Sequence, residues 1–143
     1  MNNTLSQNFR CKIIGVLDDG ENSLSHTALQ EIKNADRIIG GDRTLQLFKN
    51  LIKTNCETKD LTGALTKVPE WVKESLDSNK NVVVLATGDP LCHGIGSYLV
   101  KKIGDDLCEI IPNVSNIQLA CAKLGLNWQD IKISSVHTKE AGE

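Results

Sequence analysis

The sequence predicts an α/β domain in which a mainly parallel five-stranded sheet carries helices on both faces. Three observations lead to it. Strand-like apolar runs alternate with stretches of helical periodicity, and parallel neighbours need crossover connections of that kind. Val82 to Ala86 is a continuous apolar run led by three valines, the pattern of a strand covered on both sides. Aromatic residues make up only 3% of the chain, so the core must rest on Ile, Val, Leu and Ala, which suit buried strands and the helices above them.

The elements follow in order. Lys12 to Val16 is the first strand, and Asp18, Asp19 and Gly20 form a polar turn after it. Leu24, Ala28, Ile32 and Ala35 recur at helical spacing, with Ser23 or Ser25 available to cap the first turn and Asp36 as the stop. Arg37 to Gly40 reads as a short second strand. Gly40 and Gly41 then break the chain before a helix carrying Leu45, Leu47, Phe48 and Leu51. A further strand around Thr54 to Thr58 has little periodic pattern behind it. Pro69 suits the first turn of a helix through Trp71, Val72 and Leu76, where its missing amide hydrogen costs nothing, and Asn79 to Asn81 stops that helix. Val82 to Ala86 runs directly into Thr87-Gly88-Asp89-Pro90. After it come a helix over Ile95 to Ile103, a strand over Cys108 to Ile111 and a helix from about Ser115 to Leu124 stopped by Gly125. The last strand is Lys132 to Val136.

At 143 residues the chain fits one domain. A formal net charge of -2, with basic residues scattered, offers no stripe for a phosphate backbone, so nucleic acid is not an expected partner. Met1 to Lys12 lacks the apolar run of a signal peptide and Val82 to Ala86 is far too short to span a bilayer, so the expectation is a soluble cytoplasmic protein without a membrane partner. Five cysteines, Cys11, Cys56, Cys92, Cys108 and Cys121, form no C-x-x-C pair and suggest core fillers rather than a disulfide framework. Cys92-His93 has no second ligand cluster, and no metal is expected.

The loops richest in Gly, Pro, Asp and Ser all follow strands, which puts the expected site at the carboxyl edge of the sheet. The loop from Thr87 to Gly96 combines glycines that permit close backbone approach with the amide donors of a helix start. Read blandly, Asp89-Pro90 makes a tight turn, Gly94 and Gly96 allow close packing, Ser115 caps a helix, and Asp18, Asp19 and Gly20 form a turn. Gly15 to Gly20 lacks the middle glycine of a dinucleotide fingerprint, and no nucleophile elbow is present.

Four segments together resemble the tetrapyrrole methylases, in the branch that methylates precorrin-6Y or cobalt-precorrin at C-5. They are Ile14-Gly15-Val16 with Asp18-Asp19-Gly20 and Leu24-Ser25; Ala35-Asp36 with Ile39-Gly40-Gly41-Asp42-Arg43; Val83 to Pro90 through Gly94-Ile95-Gly96; and Pro112 through Val114-Ser115. Gln118-Leu119-Ala120 and Leu124-Gly125-Leu126-Asn127-Trp128 extend the match, which reaches from Lys12 to Val136. The Gly-Gly-Asp-Arg and Leu-Gly-Leu-Asn-Trp segments are those that resemble the precorrin-6Y branch.

The resemblance implies a homodimeric methyltransferase of cobalamin biosynthesis whose two α/β domains fold S-adenosyl-L-methionine into the cleft between them, beside a precorrin or cobalt-precorrin substrate. On that likeness residues 1–11 are a polar leading segment, 12–136 the amino-terminal methylase domain, and 137–143 a polar tail at the interdomain linker. A second methylase domain or subunit is then missing. The likeness carries cofactor binding onto Asp18, Thr87, Gly88, Asp89, Cys92, Ser115 and Asn116, and names no catalytic side chain. Departures from the family pattern are Leu17 and Asn113 in place of glycines, Cys92-His93 in place of a bulkier apolar and aromatic pair, and Val136-His137-Thr138-Lys139 in place of Leu-His-Gly-Arg. Asn tolerates a left-handed turn where glycine is usual. Two rival readings are a noncatalytic cofactor- or tetrapyrrole-binding module working with another subunit, and an unrelated nucleotide-binding α/β protein.

Overall fold

The computed structural model describes residues 10–87, 94–113 and 122–125. Within them five strands form one parallel sheet: β1 (Cys11–Val16), β2 (Arg37–Gly40), β3 (Glu57–Asp60), β4 (Val82–Thr87) and β5 (Cys108–Ile111), in the order β3-β2-β4-β1-β5. The predicted five-stranded parallel sheet is present. Its outer strand on one side is β3, displaced a few residues from the expected Thr54 to Thr58. The expected strand Lys132 to Val136 lies outside the described residues, as does all of the expected helix Ser115 to Leu124 except residues 122–124, which are helical. Gly125 follows them with φ +69°, the left-handed stop that its type suggested.

Among the described residues four helices that pack on the sheet follow in order: α1 (His26–Lys33), α2 (Asp42–Leu47), α3 (Val68–Asp77) and α4 (Ile95–Ile103). The direction of each crossover decides which face its helix covers. The steps β1 to β2 and β2 to β3 both move toward the β3 side of the sheet, whereas β3 to β4 and β4 to β5 both move toward the β5 side. Crossovers of one hand that move in opposite directions must pass over opposite faces. Accordingly Ala28 and Ile32 of α1, with Phe48 just past α2, pack against Ile14, Val16, Ile38, Val83 and Leu85. Val68 and Val72 of α3 and Leu99 of α4 pack against Ile13, Ile39, Val82, Val84 and Ala86 on the other side. Alternate residues of β1, β2 and β4 thus point to opposite cores, which is why these strands read as unbroken apolar runs.

Local chemistry sets the helix ends. Ser25, rather than Ser23, caps α1, its Oγ accepting from the Ala28 amide at 3.1 Å. Ser23 instead donates to the Gly20 carbonyl at 3.2 Å. Pro69 sits in the first turn of α3, and Asn79 ends that helix region with φ +57°. The helix after Gly41 is shorter than its apolar pattern suggested: it stops at Leu47, turns follow, and Leu47 is exposed while Phe48 is fully buried.

The amino edge of the sheet is tied by polar groups. Arg37, 9% exposed, donates from Nε and Nη2 to Glu57 Oε1 at 3.1 and 2.7 Å, and from Nη1 to the Trp71 carbonyl at 3.1 Å and Glu74 Oε1 at 2.9 Å. One guanidinium therefore joins the starts of β2 and β3 to α3. Beside it the Asp36 carboxylate accepts from the Asn81 amide at 2.9 Å and from Lys53 Nζ at 3.1 Å, while the Asp36 amide donates to the Asn81 carbonyl at 2.7 Å.

Two outcomes follow at this edge. Arg37→Ala is expected to lower unfolding stability by about 1–3 kcal/mol, measured by denaturant titration, because hydrogen bonds to charged partners are lost while both carboxylates stay in water. The Asn81 amide, then Lys53, holds the Asp36 carboxyl below its usual range. A carboxyl lowered in the folded state adds stability above its unfolded pKa and loses it as pH falls through the folded value. Thermal midpoints should therefore drop on acidification below the ordinary aspartate range, and Asp36→Asn should flatten that part of the profile.

Candidate functional site

The predicted site lies at the opposite, carboxyl edge. Neighbouring strands β1 and β4 run side by side with Val16 opposite Thr87, and their chains then leave toward opposite faces, to α1 and to α4. Where neighbouring strands of an open parallel sheet lead to opposite faces is where such sheets place a ligand crevice. Asp18 and Thr87, both predicted site residues, stand at the two exits and both are exposed. Gly88, Asp89, Cys92, Ser115 and Asn116 lie outside the described residues.

The loop after β1 is built on short hydrogen bonds. The Gly20 amide donates to the Leu17 carbonyl at 3.1 Å, and Gly20 has φ +67°, a conformation that favours glycine. A 3-10 turn over Gly20–Ser23 leads into α1. Across the edge, Asp60 at the end of β3 accepts from the Thr62 amide at 2.9 Å, and Thr62 with the Asp42 amide holds its carboxyl below the usual aspartate range.

Asn113 is the residue whose importance the sequence concealed. Its departure from glycine suggested tolerance of a left-handed turn, yet the left-handed non-glycine residue among those described is Asn79. The Asn113 side chain instead donates from Nδ2 to the Gly15 carbonyl at 3.1 Å and to the Ser23 carbonyl at 3.3 Å. Strand β5 ends its pairing with β1 at Ile111 opposite Ile14, so the Asn113 amide continues the ladder by one side-chain bond and clamps the β1 loop to the exit of β5. A glycine there has no such donor. The signal available in the sequence was a carboxamide two residues beyond a strand.

Asp18 also meets a neighbour not assigned to the site: Arg43 Nη2 lies 3.9 Å from Asp18 Oδ2, with the two side chains 88% and 82% exposed. Burial disfavours the thiolate form of the described cysteines. Cys11 and Cys108 are opposite one another on β1 and β5 in the core, where burial pushes the Cys108 thiol up to about 11 and the Cys11 thiol higher still. Burial likewise raises the Cys56 thiol to about 11. Among the described residues no group of three or more His, Cys, Asp or Glu is arranged to hold a metal ion, and no helix is long and apolar enough to cross a membrane.

Comparison with known proteins gives the family. The family model of the Tetrapyrrole (Corrin/Porphyrin) Methylases matches residues 10–143. The chain belongs to the tetrapyrrole methylase family. Among its relatives, the cobalt-precorrin-7 C(5)-methyltransferase of Salmonella typhimurium is 34% identical over 125 residues, covering 87% of this chain and 60% of that protein. The probable cobalt-precorrin-7 C(5)-methyltransferase of Methanocaldococcus jannaschii is 36% identical over 132 residues, covering 90% of this chain and 60% of that protein. This tetrapyrrole methylase chain thus spans about 60% of the length of those relatives. The crystal structure of precorrin-6Y methylase from Archaeoglobus fulgidus superposes with a TM-score of 0.68 at 22% identity, over 88% of this chain and 63% of that one, and shows the same fold.

Asn113→Ala should free the β1 loop from β5. The expected result is faster amide hydrogen exchange over residues 17–24 and a loss of about 1 kcal/mol of stability, with exchange in the β2 and β3 strands unchanged.

Proposed function

We propose that this protein is an S-adenosylmethionine-dependent C-methyltransferase of corrin biosynthesis, acting at C-5 of a precorrin or cobalt-precorrin. The observation that carries the reading is 34% to 36% identity, over nearly nine-tenths of the chain, to relatives named for that C-5 methylation. In this reading residues 12–136 are the amino-terminal methylase domain, 1–11 precede it, and 137–143 enter the linker to a second methylase domain that closes the pocket. The enzyme works in the cytoplasm as a homodimer.

The edge fits such a cofactor chemically. Asp18 and Thr87, both exposed, stand at the ends of the neighbouring strands β1 and β4, and S-adenosylmethionine offers hydroxyls, an amino group and a positive sulfonium. When bound, it supplies a methyl group open to direct displacement by a nucleophilic carbon. The chain's own task is then alignment and exclusion of water rather than proton transfer. Asp18 and Thr87 hold polar groups of the cofactor, and Gly88, Asp89, Cys92, Ser115 and Asn116 complete the proposed set. The glycine admits close backbone approach. No side chain is assigned as a base, because displacement from a sulfonium needs none to activate the leaving group.

Calorimetric titration with S-adenosylhomocysteine tests the reading. The native protein is expected to bind, and a folded Gly88→Val, Asp89→Ala variant to bind at least roughly tenfold more weakly. Nucleotide binding that S-adenosylmethionine does not compete with would instead indicate an unrelated nucleotide-binding protein. Cofactor binding without methylation of any precorrin by the native assembly would indicate a binding module.

A further inference from the structure

The Gly40-Gly41-Asp42-Arg43 segment has so far no role, and the strand order gives it one. Strand β4 lies between β1 and β2, and the exits of β1 and β2 both turn onto the α1 and α2 face while β4 turns onto the other. The β1 loop and the start of α2 therefore meet above the end of β4. One contact marks the meeting: Arg43 Nη2 stands 3.9 Å from Asp18 Oδ2.

This arginine is held loosely. At 3.9 Å the pair is longer than a hydrogen bond, and both side chains are largely in solvent. Among the described strand exits (residues 17–25, 41–44, 60–64, 87 and 112–113) Arg43 is the one basic side chain, set among Asp18, Asp19, Glu21, Asp42 and Asp60. Among the described residues of this edge, an anionic ligand meets an attractive side-chain charge at Arg43 and acidic side chains around it. A guanidinium presents a planar fork of donors that matches a carboxylate, and Asp18 already shows a carboxylate within its reach.

We infer that Arg43 is a ligand-recognition residue that exchanges Asp18 for a carboxylate of the bound molecules, positioned over the exit of β4. The inference rests on the proposed methyltransferase reading. Two ligands can present that group: the methionyl end of S-adenosylmethionine and the acidic rim of a carboxylated tetrapyrrole.

The experiment uses the native protein, Arg43→Gln, Arg43→Lys and, as a charge-matched control beyond the far end of α2, Lys49→Gln. Probes are S-adenosylhomocysteine, 5′-methylthioadenosine, which lacks the carboxylate, and uroporphyrin. Arg43→Gln is expected to weaken one carboxylate probe roughly tenfold or more, with Arg43→Lys intermediate, Lys49→Gln unchanged and the thermal midpoint unmoved. Loss for uroporphyrin alone assigns Arg43 to the macrocycle; loss for S-adenosylhomocysteine but not 5′-methylthioadenosine assigns it to the cofactor. Native-like binding of both carboxylate probes by Arg43→Gln, or equal loss in Lys49→Gln, overturns the inference while leaving the methyltransferase reading intact. A native protein that binds no probe overturns both.

Discussion

The insertion of β4 between β1 and β2 is the constraint on which the rest of the structure depends. It forces the chain to step one way along the sheet from β1 to β3 and the other way from β3 to β5. With one permitted hand of crossover, that reversal distributes two helices to each face and fills two separate cores. The same reversal separates the exits of β1 and β4 at the carboxyl edge. Covering both faces and parting these two exits are thus two results of one topological choice.

The two edges of the sheet are built for different purposes. At the amino edge, Arg37 and Asp36 spend their hydrogen-bonding capacity on neighbouring strands and on α3, and buried side-chain polar atoms without partners are absent among the described residues. At the carboxyl edge, Asp18, Arg43 and Thr87 remain exposed, and the side-chain clamp of Asn113 fixes main chain rather than another side chain. Side-chain hydrogen bonding is thus consolidated at one end of the sheet, while charged and polar groups stay exposed at the other.

Legibility followed burial. Arg37–Gly40, Ile95–Ile103 and Cys108–Ile111 occur where their patterns placed them, because each alternates or repeats against a core that demands apolar residues. Strand β3 was displaced because Glu57, Thr58, Lys59 and Asp60 form a largely exposed edge that carries no apolar period. Its charges suit an edge strand, discouraging pairing with another chain, but they resemble a loop. The placement of Asp18 and Thr87 at strand ends was readable from the apolar runs before them, whereas Asn113 looked like a mere substitution for glycine.

The sequence by itself determined the class of fold, the apolar strands and helices that fill its two cores, and the family, because burial demands particular residue types and the segments that follow strands retain the methylase pattern. Only the tertiary structure decided which of those segments meet. That Asn113 reaches back to Gly15 and Ser23, and that Asp18 comes beside Arg43 over the end of β4, depends on strand order. Strand order arises from how distant parts of the chain pack together, and no local run of residues encodes it.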